Sequence, residues 1–304
     1  MNTISNTIKK LRIFVQDHVR GSLLGDSLVN FLKALGVNDL LTYILYRQDR
    51  KHQSKTMEIA KNYFCAHAKE LDAVCDLLAD DFSKQVYQSA ILYRQTRNPK
   101  DAPPFSRNDQ YFVSSIVPLG TEEVFVDCGA FDGDTMKAFR KASHNRYKQI
   151  ICFEPLEKYH RILTKRGKGK HVTAICAGVY KETTTLSFHD SGKGSAFVSD
   201  TREETSRVPV RAIDDTPECR EATFIKMDVE GSELDALKGA RETILRNRPK
   251  LAICLYHHHG DFIHIPNWIH SLVPEYKLYV RHHSASINET VLYAIPEESD
   301  ISTK

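Results

Sequence analysis

Apolar residues repeat at helical spacing through the first third of the chain. In the stretch 28–36, leucine and phenylalanine stand at i, i+3, i+4 and i+7 and a glycine follows as a helix stop. The stretch 71–78 repeats this spacing, and 80–97 predicts one more helix, closed by Asn98 and Pro99. The pattern predicts a helical amino-terminal extension over residues 1–110.

After residue 120 the pattern changes to short apolar runs that alternate with amphipathic stretches. The runs predict seven strands, at 124–128, 150–154, 172–179, 223–229, 250–256, 276–283 and 288–296. Helices are predicted between them at 135–142, 156–166 and 232–245, and the irregular stretch 180–209 resembles a short hairpin turning at Gly192 and Gly194. This alternation predicts an α/β domain over 111–304 with a mainly parallel, doubly wound sheet.

The last two predicted strands are joined by only a few residues. A connection that short cannot cross over to make a parallel pair, so they should form an antiparallel hairpin. We therefore expect the last strand to run against the rest of the sheet.

Composition and charge argue against a dedicated nucleic-acid binder and against a membrane-spanning protein, but they do not identify the function. The chain has 304 residues, 41% of them hydrophobic and 27% charged, with a formal net charge of +3. This is a mild basic excess, concentrated before residue 110, and nucleic acid is not an expected partner. No apolar run approaches the length of a membrane span, and the amino terminus makes a poor signal peptide, so we expect a cytoplasmic protein.

The seven cysteines have no CxxC spacing. Cys128, Cys152, Cys176 and Cys254 each fall in a short apolar run, where a reduced cysteine behaves as a small hydrophobe. Because cysteine metal ligands usually come in spaced pairs, we expect reduced cysteines in the core and no thiolate metal site.

The stretch VFVDCGAFDGDT (124–135) ends an apolar strand with a carboxylate and then turns on glycine. Ligands of open α/β sheets bind beyond the carboxyl ends of strands, where glycine lets the backbone approach them closely. The acids of this turn would repel the diphosphate that a GxGxxG turn binds, and would suit an ammonium or a sulfonium. Glu154 ends the next strand, where an acid accepts the hydroxyls of a ribose. Together these features predict an S-adenosylmethionine site.

Over 110–296 the chain resembles the FkbM-type S-adenosylmethionine-dependent methyltransferases. The resemblance rests on QYF, VFVDCGAFDGDT, CFEP, FIKMDVEGSELDALKGA, PKLAICLYH and the carboxy-terminal YKLYVRHHS…NETVLYAIP. The helical amino-terminal region, notably 77–94, is similar to the extension that some members carry. We expect residues 1–110 to form a helical cap that packs on the catalytic domain and helps to enclose the acceptor. The resemblance implies a Rossmann-like class I methyltransferase fold and O-methylation of a hydroxyl, often on a sugar or secondary metabolite.

We assign expected cofactor contacts along the first two strand ends. Backbone around the methionine moiety is expected from Gly129, Ala130, Phe131 and Gly133, with Thr135 bonding its carboxylate and Glu154 binding the ribose. Asp127 either anchors the turn or contacts the amino-acid end of the cofactor, with a helix-capping aspartate as the plain alternative. Tyr111 either covers the cofactor or is a core aromatic.

The candidate catalytic residues follow two other strands. Asp228 and Glu230 close the fourth strand, which lies beside the first, and there they could position the acceptor or the amine of the cofactor. His257 ends the fifth strand and is our choice for the general base, because an imidazole titrates near neutrality and its strand adjoins the one before Asp228. His282 and His283, which end the sixth strand, are the other candidates.

Alternatives stay open at this point. Histidines of HHHGDF (257–262) with Asp228 and Glu230 could bind a divalent metal, although neighbouring side chains of an extended segment alternate in direction and the spacing matches no zinc motif, so we predict no metal. A nicotinamide-dependent oxidoreductase and an inactive binding module on the same fold are the other function classes. The expected partner is a small-molecule or carbohydrate acceptor, and a homo-oligomer is left open.

Overall fold

The computed structural model describes residues 50–190, 195–197 and 206–297. Its helices are α1 (Arg50–Ala66), α2 (Ala68–Leu77), α3 (Asp81–Thr96), α4 (Asp134–Ala142), α5 (Glu157–Gly167), α6 (Glu233–Lys238), α7 (Arg241–Asn247) and α8 (Asp261–Leu272). Short 3-10 helices span Pro99–Asp101 and Pro217–Cys219. The predicted helix at 28–36 lies outside the described residues.

The strands divide between a large and a small sheet. Their bounds are β1 (Val124–Cys128), β2 (Gln149–Phe153), β3 (Val172–Ile175), β4 (Gly178–Val179), β5 (Thr184–Asp190), β6 (Ser195–Phe197), β7 (Ser206–Arg211), β8 (Phe224–Met227), β9 (Lys250–Cys254), β10 (Lys277–His282) and β11 (Thr290–Ile295). The large sheet has the order β10-β11-β9-β8-β1-β2-β3. The prediction of a mainly parallel, seven-stranded α/β sheet is confirmed.

Strand β11 is the antiparallel member of the large sheet. It pairs antiparallel with both β9 and β10, whereas the β9–β8, β8–β1, β1–β2 and β2–β3 pairs are parallel. The reversed last strand is confirmed, and so is the predicted position of the fourth predicted strand, β8, beside the first, β1. Parallel pairing of β2, β1, β8 and β9 brings their carboxyl ends to one edge, where the candidate residues stand.

The stretch 172–179, predicted as one strand, is two. Strand β3 belongs to the large sheet, whereas β4 pairs with β7 in a four-stranded sheet of order β4-β7-β5-β6. Strands β5 and β6 form the predicted antiparallel hairpin, and its turn lies outside the described residues. The apolar run is continuous in sequence, but the chain leaves one sheet for the other at Cys176.

The predicted helix at 232–245 is broken into α6 and α7 at Gly239. A Cβ atom on Gly239 would lie 2.1 Å from the carbonyl oxygen of Tyr180, so the backbone that follows β4 packs against this point directly. Glycine is the residue that allows so close an approach of two backbone segments.

Helices α2 and α3 belong to the same compact unit as the sheet, which comprises residues 57–304. The carboxylate of Asp80 caps α3 by accepting from the N–H of Ser83 at 2.6 Å, and Arg97 ends the helix in the left-handed region. Arg281 of β10 binds Asp80 at 2.8 Å, and Ser83 Oγ accepts from the N–H of Val280. Helix α3 therefore docks on the β10 edge of the sheet. The domain boundary predicted at residue 110 remains a prediction. The role of residues 1–110 as a cap that helps to enclose the acceptor also remains a prediction.

The strands of the large sheet are covered on both faces. Buried side chains form one cluster that includes residues of α2, α3, α6 and α8, and a second around β1, α4 and the chain before β1. Cys128, Cys152 and Cys254 are fully buried as predicted, and Cys176 is half-buried. Among the described residues, no helix combines the length and the apolarity that a membrane crossing requires.

Candidate active site

Glycine is required where β1 and β8 end side by side. Gly129 has φ of +78°, and a Cβ atom there would lie 1.9 Å from the carbonyl oxygen of Asp228. The chain then passes Phe131, at φ +45°, and Gly133, at φ +88°. A side chain at Gly129 would push the two strand ends apart, so this glycine sets how closely the turn approaches Asp228.

The turn after β1 is held by the end of β2. Gly129 and Ala130 donate their N–H groups to the carbonyl oxygen of Phe153, at 3.1 and 3.0 Å, and Gly133 donates to Ala130 at 2.8 Å. Thr135, in the first turn of α4, is buried, and its N–H lies 2.6 Å from Asp134 Oδ1. These bonds leave a rigid loop at the carboxyl edge of the sheet, in the place predicted for the methionine moiety.

Glu154 follows β2 and is only 5% exposed. Its Oε2 accepts the N–H of Phe131 at 3.0 Å, and its Oε1 accepts the N–H of Leu156 at 2.8 Å. Burial raises the pKa of Glu154, with the two N–H groups opposing it. A carboxylate has about four acceptor positions, so Glu154 keeps capacity for a ligand while it also fixes the turn. The ribose contact remains a prediction.

Asp127 faces the interior of the protein. It is fully buried, and its Oδ1 lies 3.1 Å from Nζ of Lys226, which donates to the carbonyl oxygen of Gly129 at 2.9 Å. Burial lowers the pKa of Lys226, but Asp127 and Asp228 outweigh it and raise the pKa above its usual range. Of the roles considered for Asp127, the geometry fits an anchor of the turn, acting through Lys226.

Asp228 is the centre of a polar cluster at the end of β8. Its Oδ1 accepts the hydroxyl of Tyr256 at 2.8 Å, and its Oδ2 accepts the hydroxyl of Tyr111 at 3.0 Å. Burial raises the pKa of Asp228, but Lys226 and His257, with the two hydroxyls, lower it below the ordinary value. Asp228 is therefore a carboxylate at neutral pH. Tyr111 is buried, so it is both a core aromatic and a partner of this carboxylate.

His257 lies among three carboxylates. Its Nδ1 is 2.9 Å from Glu233 Oε1, and its Nε2 is 3.5 Å from both Asp228 Oδ1 and Glu230 Oε2. Burial lowers the pKa of His257, but Glu233 and then the other two acids outweigh it and raise the pKa from 6.5 to about 9. The imidazole is therefore protonated at neutral pH in this structure.

Glu233 contacts the Nδ1 side of the imidazole. Its side chain is fully buried in the first turn of α6, and its Oε1 also accepts the N–H of Val229 at 2.8 Å. Glu230, in contrast, has a side chain that is 48% exposed. Its partial burial raises the pKa of its carboxyl group, and the charge of His257 opposes that rise. Glu230 has φ of +54°, so the backbone here is strained into the left-handed region.

One group of metal-ligating side chains occurs among the described residues. Donor atoms of Asp228, Glu233 and His257 lie within 4.8 Å of one another. In this structure the imidazole of His257 lies between the carboxylates of Asp228 and Glu233, so the three side chains contact one another. The cluster could hold a divalent cation only if His257 gave up its proton.

The other candidate histidines are bonded away from the cluster. His282 is buried and lies 2.9 Å from Thr290 Oγ1 and 2.8 Å from the carbonyl oxygen of Ser286. His283 lies 2.7 Å from the carbonyl oxygen of Ser106 and 2.9 Å from the hydroxyl of Tyr293. Burial lowers the pKa of both, so each is a neutral structural histidine.

Sequence reasoning missed three residues of this site: Lys226, Glu233 and Tyr256. A lysine inside the apolar run FIKMDV should have indicated a buried ion pair, since a lysine is almost never buried without a partner. Glu233 begins a helix directly after a Gly–Ser turn, but nothing local to the sequence points its carboxylate toward His257. Tyr256 was included only as the end of a strand.

The sheet order, the glycine turn after β1 and the polar cluster after β8 and β9 define a Rossmann-like, class I methyltransferase fold. The family model described as Methyltransferase FkbM domain matches residues 127–278, half of the chain. The chain belongs to this family.

One solved structure agrees with this assignment. A crystal structure of methyltransferase FkbM from Methylobacillus flagellatus KT matches with a TM-score of 0.66 and 28% identity, over 77% of this chain and 60% of that one. This chain thus spans less than two thirds of that relative.

Weaker matches include two methyltransferase-fold proteins with bound ligand. One is Aeropyrum pernix fibrillarin in complex with S-adenosyl-L-methionine, which matches with 11% identity and a TM-score of 0.38 over 62% of this chain and 74% of that one. The other is SAH-bound Podospora anserina methyltransferase PaMTH1, with 12% identity and a TM-score of 0.33 over 77% of this chain and 96% of that one. No curated protein matches the chain.

Proposed function

We propose that this protein is an S-adenosylmethionine-dependent methyltransferase that methylates a hydroxyl group of a small-molecule or carbohydrate acceptor. The observation that carries the proposal is the adjacency of two features at one sheet edge. The glycine turn backed by Glu154 lies beside the Asp228 and His257 cluster, because β1 and β8 are neighbours. A cofactor bound on the first would present its reactive group to the second.

The residues fit this cofactor in charge and in shape. The turn approaches Asp228 so closely that only glycine is tolerated at Gly129, and Glu154 offers a carboxylate to hydroxyl groups. When bound, S-adenosylmethionine supplies a methyl group on a positively charged sulfur. In this proposal the backbone of Gly129, Ala130, Phe131 and Gly133 surrounds the methionine moiety.

Four side chains complete the proposed cofactor site. Thr135 binds the carboxylate of the methionine moiety and Glu154 binds the ribose. Asp127 acts through Lys226, which holds the carbonyl of the turn. Tyr111 holds Asp228 beside the cofactor, because its hydroxyl donates to that carboxylate.

His257 is the proposed general base. As the acceptor oxygen takes the methyl group, the methyl–sulfur bond would break and S-adenosylhomocysteine would be the leaving group. Nε2 of His257 would take the proton of the acceptor hydroxyl while Asp228 and Glu230 orient the acceptor. Glu233 stabilises the resulting imidazolium through Nδ1. Because the pKa of His257 is raised to about 9, the base form is a minor species at neutral pH, about 1% at pH 7. The acidic limb of kcat/KM is therefore expected near pH 9 instead of near 6.5.

The proposal is tested with S-adenosylmethionine, NAD and a panel of sugars and glycans. Calorimetry should show binding of S-adenosylmethionine and not of NAD, and turnover should release S-adenosylhomocysteine. Binding of NAD alone would favour an oxidoreductase. Binding of S-adenosylmethionine without turnover on any acceptor would favour an inactive module.

The role of His257 is tested by His257→Gln. Turnover should fall at least about a hundredfold, the usual contribution of a positioned base, while calorimetry shows unchanged cofactor binding. His264→Gln, an exposed histidine on the following helix, is the matched control and should behave like the wild type. Surviving turnover in His257→Gln would remove the general base. Restoration of chelated wild-type enzyme by a divalent ion would make His257 a metal ligand instead.

A further inference from the structure

A buried arginine of helix α3 reaches the loops on either side of the polar cluster. Arg94 is 3% exposed and lies in the last turn of α3. Its Nη2 donates to the carbonyl oxygens of Tyr256 and Ile287, both at 2.8 Å, and its guanidinium carbon lies 5.2 Å from the ring centre of Phe262. One guanidinium thus joins α3 to the segments that follow β9 and precede β11.

Both segments lead to residues that interact with the polar cluster around Asp228 and His257. Tyr256 immediately precedes His257, and its hydroxyl donates to Asp228. Ile287 precedes Glu289 by two residues, and the carboxylate of Glu289 accepts from Gln110, the neighbour of Tyr111. The two hydrogen bonds from Arg94 to Tyr256 and Ile287 are to backbone oxygens, so they hold the position of these loops.

Helix α3 has docking contacts other than Arg94. At the other end of the helix Arg281 binds Asp80 and Ser83, and in its middle the hydroxyl of Tyr87 donates to the carbonyl oxygen of Phe262 at 2.8 Å. A buried cation is a poor way to add stability alone, because desolvation offsets its attraction and an apolar residue of similar volume often does as well. Arg94 differs from these other contacts because it bonds the two loops next to the polar cluster.

We propose that Arg94 is a positioning residue, which holds the backbone at Tyr256 so that the imidazole of His257 stays between Glu233 and Asp228. For its catalytic consequence this inference rests on the proposed function, but the geometry that it predicts does not. Helix α3 then contributes to the active site through these bonds from Arg94, besides any part it has in enclosing the acceptor.

The pKa of His257 reports its position directly. The carboxyl groups that face the imidazole are Glu233, Asp228 and Glu230, with weaker interactions from Asp261 and Glu289. All five remain when Arg94 is changed. A fall in the pKa of His257 in such a variant therefore means that the ring has moved away from its acids.

The experiment compares Arg94→Met and Arg94→Lys with Arg281→Met in the full chain. Arg281→Met removes a guanidinium that docks the same helix, at a distance from the cluster, and is the matched control. The pKa of His257 is measured by NMR titration of histidine-labelled protein, with His257→Gln to assign its resonance. Thermal unfolding and calorimetry with S-adenosylmethionine check folding and cofactor binding.

In Arg94→Met the pKa of His257 should fall by at least about one unit, a factor of ten in its deprotonated fraction, and in Arg94→Lys by less. Cofactor affinity should be unchanged. Turnover measured above pH 9, where His257 is deprotonated in both proteins, should fall by at least about tenfold because the imidazole is displaced. Arg281→Met should leave the pKa and kcat unchanged. An unchanged pKa in folded Arg94→Met overturns the inference, and so does failure of both Arg94 variants to fold, which would make Arg94 a folding residue. If Arg94→Met alone fails to fold, the result for Arg94→Lys decides.

Discussion

The carboxylate of Glu233 should control both the charge of His257 and part of the pH dependence of stability. Glu233→Gln keeps the shape of the side chain and an oxygen for the N–H of Val229, and removes the charge 2.9 Å from His257 Nδ1. The folded pKa of His257, about 9, lies above its ordinary value of 6.5. This difference corresponds to about 3 kcal/mol in favour of the imidazolium form.

The sign follows from linkage. A group whose pKa is raised by folding contributes its full stabilisation below its unfolded pKa and loses it as pH rises through its folded pKa. The wild type should therefore lose about 2–3 kcal/mol of its free energy of unfolding between pH 6 and pH 9.5 through His257. In Glu233→Gln the pKa should fall by at least about one unit, because the nearest acid is gone, and the pH-dependent loss should shrink in proportion.

Two measurements check this prediction. Urea unfolding at pH 6 and pH 9.5 gives the stability difference, and NMR titration gives the pKa of His257. Glu275→Gln, which removes an exposed acid paired with Arg248, is the matched control and should leave both quantities unchanged. A pKa that stays near 9 in Glu233→Gln, or a wild type equally stable at both pH values, would refute the reasoning.

Three further predictions concern the rest of the molecule. Glu154→Ala should weaken S-adenosylmethionine binding by about 1.5–3 kcal/mol in calorimetry, because charge-assisted bonds are lost. Lys226→Met should lower the free energy of unfolding by about 3–5 kcal/mol in urea titrations, because Asp127 is left buried without its counter-charge. A chain starting near Phe105 should lose cooperative thermal unfolding and turnover, since it lacks the α2 and α3 cover of β10.

Each of these has its own control. Glu157→Gln, an exposed acid near Glu154, should bind the cofactor as the wild type does, and unchanged affinity in Glu154→Ala would take that residue out of the site. Asp127→Asn combined with Lys226→Met should recover part of the lost stability, and no recovery would contradict the ion-pair argument. A truncated chain with full turnover would reduce the helices to a solubility or assembly element.

The sequence by itself determined the order of the elements and the edge at which the site lies. Alternation of apolar runs with amphipathic stretches predicted the parallel sheet, and the short last connection predicted the reversed strand. Parallel strands end at a common edge, so Asp127, Glu154, Asp228 and His257 could be placed there from their positions after apolar runs alone. These are local or periodic properties of the chain.

Only the tertiary structure decided which charged groups meet. Asp127 and Lys226 are far apart in sequence, and their pairing depends on the register of β1 against β8. Glu233 meets His257 because the first turn of α6 lies next to the segment that follows β9. His282 instead contacts Thr290, and His283 contacts Tyr293. The pKa of an ionisable group depends on burial and on charges a few ångströms away. Those distances are set by packing, which is why a histidine expected to titrate near 6.5 has a pKa of about 9 here.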